Sequence, residues 1–297
     1  MSRRHGFAVL TVGALLLAAP VTGKGAGPQA DLTLDTLLAR AATYVEGFIE
    51  RFANLVAEER YSQTLRGGRW SSSNTATMSS TLGPRPGPSD QPQRRDVRSD
   101  LVVLRDRSVF GWVIVRDVFE VDGKVVRDRE ARLTRSLSTP GADVRAEGAR
   151  FNLGPGVRTT NTPELAILFL RSELQPRFDF TLTASDRAHG PRIRPVEYRE
   201  RARPTLVRGD DGQDLPASGR FWIDVDTGRV VETEITLRPP ATSWTLTTTF
   251  TLDSTLGIAV PTVMREDYTW RDTEMTATAT YSHFRRFDVS TAERMGQ

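Results

Sequence analysis

From Leu34 onward, apolar residues recur at three- and four-residue steps: Leu34, Leu37, Leu38, Ala41, Val45, Phe48, Ile49 and Phe52. That spacing puts them on one stripe of a helix and predicts an amphipathic helix from Asp31 to about Val56. Thr33 or Asp35 is placed to cap it. The period then changes. Ala57, Tyr61, Gln63 and Leu65 alternate with Glu58, Arg60 and Ser62, which reads as a strand. Neighbouring strand residues point to opposite faces, so Glu58 and Glu59 do not converge. The pair is expected at the surface where helix passes into strand.

Between Arg66 and about Asp96 the pattern breaks. Gly67-Gly68, Ser71 to Ser73 and the run Gly83-Pro84-Arg85-Pro86-Gly87-Pro88 supply no buried face. Residues 66–96 are therefore expected to form a long flexible loop inside one domain. Strands are expected over Leu101–Leu104 and Val109–Val121, with Asp122-Gly123 as a tight turn before Val125-Val126. Asp128–Leu137 and Ala142–Phe151 read as helical or irregular. Thr162-Pro163-Glu164 has the makings of a helix start: a capping Thr, a Pro in the first turn, then an acid. Leu165 to Leu170 is apolar around its whole circumference, which predicts a helix buried on most sides or facing an apolar cavity.

After Gln175 the chain reads as strands. Phe178, Phe180 and Leu182 alternate with Asp179, Thr181 and Thr183. Phe221, Ile223 and Val225 lead to a turn at Asp226-Thr227-Gly228, and Val231, Thr233, Ile235 and Leu237 lead back. Trp244, Leu246, Thr248, Phe250 and Leu252 face away from Thr245, Thr247, Thr249 and Thr251, and Met275, Ala277, Ala279 and Tyr281 continue the theme. The prediction is a sequential antiparallel sheet with one covered face.

Composition changes this picture mainly at the N-terminus. Arg3-Arg4, the apolar run Phe7–Ala19 and the small residues after Pro20 have the three parts of a cleavable export signal, expected to span residues 1–26. The run is shorter than the ~20 apolar residues that cross a bilayer. Residues 27–297 are then expected as a single domain without an integral membrane segment, in the periplasm or secreted. The whole chain carries 40 Lys+Arg against 37 Asp+Glu; removal of Arg3, Arg4 and Lys24 with the leader leaves 37 against 37. No positive field remains to recruit nucleic acid. The absence of Cys excludes disulfides and a lipid-acylated N-terminus.

Candidate chemistry is sparse. His189 lies in a turn sequence and His283 on the last strand, with no acid-rich motif beside either, so no metal site is expected. No Gly-x-Ser-x-Gly elbow and no Gly-rich phosphate loop occurs. Asp224-Val225-Asp226-Thr227-Gly228 begins like a calcium loop. It fails where Gly228 takes a ligand position and Arg229 that of the required Gly, so a hairpin turn accounts for it. No catalytic residue and no cofactor is expected.

The segment Gly219-Arg220-Phe221-Trp222-Ile223-Asp224-Val225-Asp226-Thr227-Gly228-Arg229-Val230-Val231-Glu232-Thr233-Glu234 resembles a hairpin of the periplasmic lipoprotein-carrier and lipoprotein-sorting families, the LolA/LolB-like group. The opening helix leading into a strand, Phe48 to Leu65, is similar too, and the general pattern also resembles other exported bacterial families. The resemblance implies an α+β fold: a curved, mainly antiparallel half-barrel, with the N-terminal amphipathic helix and inserted helices on its concave face. It further implies an apolar interior able to hold a lipid or a lipoprotein acyl chain. The matched hairpin is structural and carries over no ligand residue; the apolar run Leu165–Leu170 and the covered face of the sheet make Leu168, Phe169, Phe180 and Phe250 the expected ligand contacts of a non-enzymatic carrier. The alternative is a structural or interaction protein of the cell envelope with a filled core and partner contacts through its edge strands.

Overall fold

The computed structural model describes residues 32–67, 91–105, 112–129, 131, 148–153, 161–185, 187–209, 212–238, 242–270 and 273–287. The expected signal peptide and most of the 66–96 stretch, with most of 128–151, lie outside the described residues.

Helix α1, Leu34–Phe52, forms as its periodicity predicts, and of the two cap candidates Thr33 serves: its side chain accepts from the Thr36 backbone N–H. The helix stops short of Val56. Asn54 turns the chain with a positive φ, and β1 begins at Leu55. The remaining strands are β2 Gln93–Arg105, β3 Trp112–Val121, β4 Lys124–Val125, β5 Phe178–Leu182, β6 Ile193–Glu200, β7 Ser218–Asp224, β8 Val230–Leu237, β9 Thr242–Asp253, β10 Ile258–Trp270 and β11 Thr273–Arg286. β2 thus takes in Gln93–Asp96, which composition had placed in the loop; pairing with Thr64, Leu65 and their neighbours on β1 orders these residues despite their polarity.

All eleven strands form one antiparallel sheet in the order β4-β3-β2-β1-β11-β10-β9-β8-β7-β6-β5. It is a meander broken at one place, where the last strand closes back on the first: Tyr61 lies opposite Ala279. The sheet is open and curved, a half-barrel. Register shifts at Val56/Glu58, Arg98/Ser99, Trp222/Ile223 and Pro261/Val263 bend it locally. Its two edges are β4 and β5, which are consecutive strands. The chain between them therefore links one edge of the half-barrel to the other, and its 161–177 part lies on the concave face.

That face is covered by α1 and by the 161–177 part of the crossing. α1 lies along the rim where β7 turns into β8 and β9 into β10. The Arg40 guanidinium donates to the Val225 carbonyl and Arg51 Nη1 to the Gly257 carbonyl. The helix comes so close at the first turn that only glycine fits. Gly228 has φ +71°, and a Cβ there would stand 2.3 Å from the Arg40 carbonyl carbon. Gly228→Ala is expected to destabilise the protein by at least about 2 kcal/mol in urea denaturation, from the strained φ plus the forced helix displacement. The turn itself is the metal-free hairpin expected: Asp224 Oδ1 accepts from the Asp226 and Thr227 N–H groups and the Thr227 hydroxyl.

Residues 165–170 are buried, as their composition requires, yet they do not make an α-helix. Residues 163–165 form turns, and Ala166–Leu170 is a 3₁₀ helix whose N-cap position is Leu165 rather than Thr162. Pro163 is compatible with a helix start, but the apolar run is short and packed on all sides, and three-residue turns set by those surroundings replace the expected helix.

Candidate functional site

The concave face carries two aromatic clusters and one polar band. In the first cluster Phe169 from the 3₁₀ helix stacks on Phe178 at 5.0 Å and meets Tyr198 edge-on at 5.8 Å, while Tyr198 stacks on Phe221 at 4.5 Å. Phe180 joins through Phe178, at 5.8 Å. The second cluster centres on α1: Phe48 stacks on Phe52 at 4.8 Å and meets Trp112 at 5.9 Å and Phe250 at 6.3 Å. Of the four expected ligand contacts, Phe169 and Phe180 therefore share a cluster and Leu168 is buried beside Phe169, whereas Phe250 belongs to the α1 cluster. Phe169 is 0% exposed and Phe250 5%. Phe169 is thus closed in against Phe178 and Tyr198, and Phe250 against Phe48 of α1.

The polar band is what the sequence reading missed. Glu59, expected at the surface, is fully buried. It occupies the inward position between Ala57 and Tyr61 on β1, and the Arg116 guanidinium on β3 grips it with two bonds, Nε to Oε2 at 2.7 Å and Nη2 to Oε1 at 3.1 Å. Ser99 Oγ donates to the same carboxylate at 2.9 Å. The outer edge of the guanidinium faces the crossing segment: Nη2 donates to the Asn161 carbonyl at 2.6 Å and Nη1 to Asn161 Oδ1 at 3.2 Å. Asn161 Nδ2 donates to the Tyr61 hydroxyl at 3.2 Å, which donates to Glu266 Oε2 at 2.6 Å. Burial alone would lower the Arg116 pKa; the charge and hydrogen bonds of Glu59 reverse this and raise it, so Arg116 stays cationic. The signal available in the sequence was the run Glu59, Tyr61, Gln63 at alternate positions, a polar series where an apolar one was expected.

Glu164 belongs to the same band and is 3% exposed, with Oε2 lacking a hydrogen-bond partner among the described residues. Burial pushes its carboxyl from an ordinary 4.5 up to about 7, against smaller lowering effects from its own backbone N–H, Arg116, Thr162 and Trp112. Its folded pKa lies above the unfolded one, so the stability this group contributes is fully present below pH ~4.5 and is lost as pH rises through about 7. A 2.5-unit difference sets a ceiling of roughly 3 kcal/mol on that loss. Urea midpoints between pH 5 and pH 8 are expected to fall in the native protein and to fall less in Glu164→Gln, which keeps the shape without the charge.

Among the described residues no group of three or more His, Cys, Asp or Glu side chains is arranged to hold a metal, and no helix is long and apolar enough to cross a membrane. His189 stacks on Trp222 at 5.1 Å, and His283 lies exposed beside Glu58; neither faces the polar band.

No protein-family model matches the chain, and no curated protein matches it in sequence. In structure it is similar to a domain from Vibrio parahaemolyticus described as an outer membrane lipoprotein-sorting protein, with TM-score 0.38 and 11% identity over 86% of this chain and 95% of that one. It is also similar to a DUF1329 family protein from Desulfovibrio piger ATCC 29098, with TM-score 0.34 and 12% identity over 87% of this chain and 95% of that one. At these scores the likeness is confined to the course of the chain.

Proposed function

We propose that this is an exported, non-enzymatic binding or carrier protein for a hydrophobic ligand, a lipid or a lipoprotein acyl chain, working in the periplasm or outside the cell. The observation that carries the reading is the crossing segment. Six consecutive apolar residues, Leu165–Leu170, are sealed against the concave face as turns and a 3₁₀ helix. Such turns have poorer hydrogen-bond geometry than an α-helix and are held mostly by their packing. An acyl chain replaces that packing in kind, since it offers the same apolar contacts to Phe178 and Tyr198 that Phe169 now makes. In this reading Leu168, Phe169, Phe180 and Phe250 touch the bound chain.

The test is a titration with a fluorescent fatty acid, together with mass spectrometry of organic extracts of the protein purified from its own envelope. Saturable binding, weakened more than folding by Phe169→Gln, is the expected result. No saturable binding and a lipid-free extract overturn the carrier. The intact mass of the same material is expected to show a mature start between about residues 24 and 31; retention of Met1 or Ser2 contradicts export with cleavage.

One observation favours the alternative, a structural or interaction protein of the envelope. Phe169 already has a complete set of aromatic neighbours in the closed form, as a close-packed core residue does. The same titration separates the two, because a filled core has no saturable acyl site.

A further inference from the structure

The connection between β5 and β6 folds around an open pocket of about 350 Å³, lined by Ser185, Arg187, Gly190, Pro191 and Arg194. That is room for a small polar group, at the lower end of ligand-pocket sizes. Local contacts fix its shape. Arg194 Nη1 donates to Ser185 Oγ at 2.5 Å and to the Pro191 carbonyl at 2.9 Å. The Ile193 N–H donates to the Gly190 carbonyl, and the His189 ring stacks on Trp222. Asp186, between Ser185 and Arg187, lies outside the described residues.

The lining holds donors that nothing accepts from. Among the described residues Arg187 has neither ion pair nor hydrogen bond, and Arg194 has no carboxylate partner and uses only Nη1. Ser185 Oγ accepts from Arg194, which leaves its own proton to donate elsewhere. Arg192 does not add to the group, because it faces Asp224 at 3.9 Å and Asp226 at 3.7 Å. Two guanidiniums and a hydroxyl therefore meet at a pocket with no carboxylate in its lining. One guanidinium already satisfies both oxygens of a carboxylate. A phosphate monoester brings three unesterified oxygens and a charge of about −1.5 to −2 at neutral pH, which matches the two cations and the hydroxyl together.

The pocket also lies in line with the apolar face. Strand alternation puts Arg194 on the same side of β6 as Val196 and Tyr198. It pairs with Ile223 on β7, and Val196 pairs with Phe221. Tyr198 stacks on Phe221 and meets Phe169 edge-on. Four residues of strand put the Arg194 backbone about 13 Å from that of Tyr198, at the end of the row.

We infer that the Ser185–Arg187–Arg194 pocket is a receptor for a phosphate monoester, carried on the headgroup of an acyl lipid or on a free small molecule. The lipid source rests on the carrier reading above; the phosphate site does not.

The experiment is an NMR titration of the full mature chain at pH 7.5 with four probes: glycerol 3-phosphate, glycerate, dihexanoyl phosphatidic acid and dihexanoylglycerol, the last two below their micelle concentrations. Wild type is compared with Arg187→Gln, an exposed side chain without partners, and with Arg187→Gln/Arg194→Gln; urea midpoints check that both variants fold. Glycerol 3-phosphate is expected to bind wild type at least about tenfold more tightly than glycerate. Arg187→Gln is expected to weaken both phosphates about threefold or more, and the double variant at least about tenfold, with dihexanoylglycerol unchanged. Dihexanoyl phosphatidic acid binding at least about tenfold more tightly than glycerol 3-phosphate assigns the site to a lipid. Equal affinities for the two phosphates, with no binding of dihexanoylglycerol, assign it to a free phosphate ester and count against the carrier. Glycerate bound as tightly as glycerol 3-phosphate, or phosphates bound by the double variant as by wild type, overturns the site; dihexanoylglycerol binding in that case leaves the carrier standing.

Discussion

Replacing Arg116 by Met is expected to destabilise the protein by about 3–5 kcal/mol, the cost of leaving one member of a buried ion pair without its partner. Glu59 is 0% exposed and would keep neutral hydroxyl donors such as Ser99 and Tyr281 but lose its cation, in a setting too dry to hydrate a carboxylate. Asn161 would lose both its contacts to the guanidinium, so the crossing segment should loosen at its start as well. The double variant Arg116→Met/Glu59→Leu removes both charges and is expected to recover most of the loss, because two apolar side chains can fill the same volume without an unpaired charge. Urea denaturation of the two singles and the double gives the coupling directly. If Arg116→Met costs less than about 1 kcal/mol, the pair is hydrated and the polar band is not the buried one described.

The second large effect is at Phe169. Truncation to Ala is expected to cost about 3–5 kcal/mol, since the ring is fully buried and the neighbours that would have to collapse around the hole, Phe178 and Tyr198, are fixed on paired strands. If the crossing segment undocks independently of the sheet, part of this loss appears as local opening. Amide exchange would then rise over residues 163–171 while β6 to β9 keep their protection. A saturating acyl ligand is expected to narrow the gap between wild type and Phe169→Ala, because the chain occupies the space the ring leaves.

Much of the fold was legible along the chain. The 3.6-residue stripe from Leu34 to Phe52 and the two-residue alternation from Phe178 to Tyr281 each state a period, and a period states an element with one covered face. The Asp224–Gly228 turn was legible for the same reason: its hydrogen bonds link residues within four of each other. The resemblance of the 219–234 hairpin supplied the half-barrel, which local pattern does not contain. What local pattern leaves open is which faces meet. Glu59 looked like a surface acid because its partner Arg116 is 57 residues away, and nothing near either one announces the other. Leu165–Leu170 showed its burial by composition alone, but whether it became an α-helix or a 3₁₀ turn was decided by the sheet and α1 around it. Phe180 and Phe250 looked alike, inward-facing aromatics on strands, and the strand order put them in different clusters. The sequence by itself determined the elements and their covered faces, because those depend on spacing. The tertiary structure alone decided the polar band and the crossing of the concave face, because those depend on β1 closing against β11 and on β4 and β5 ending at opposite edges of one open sheet.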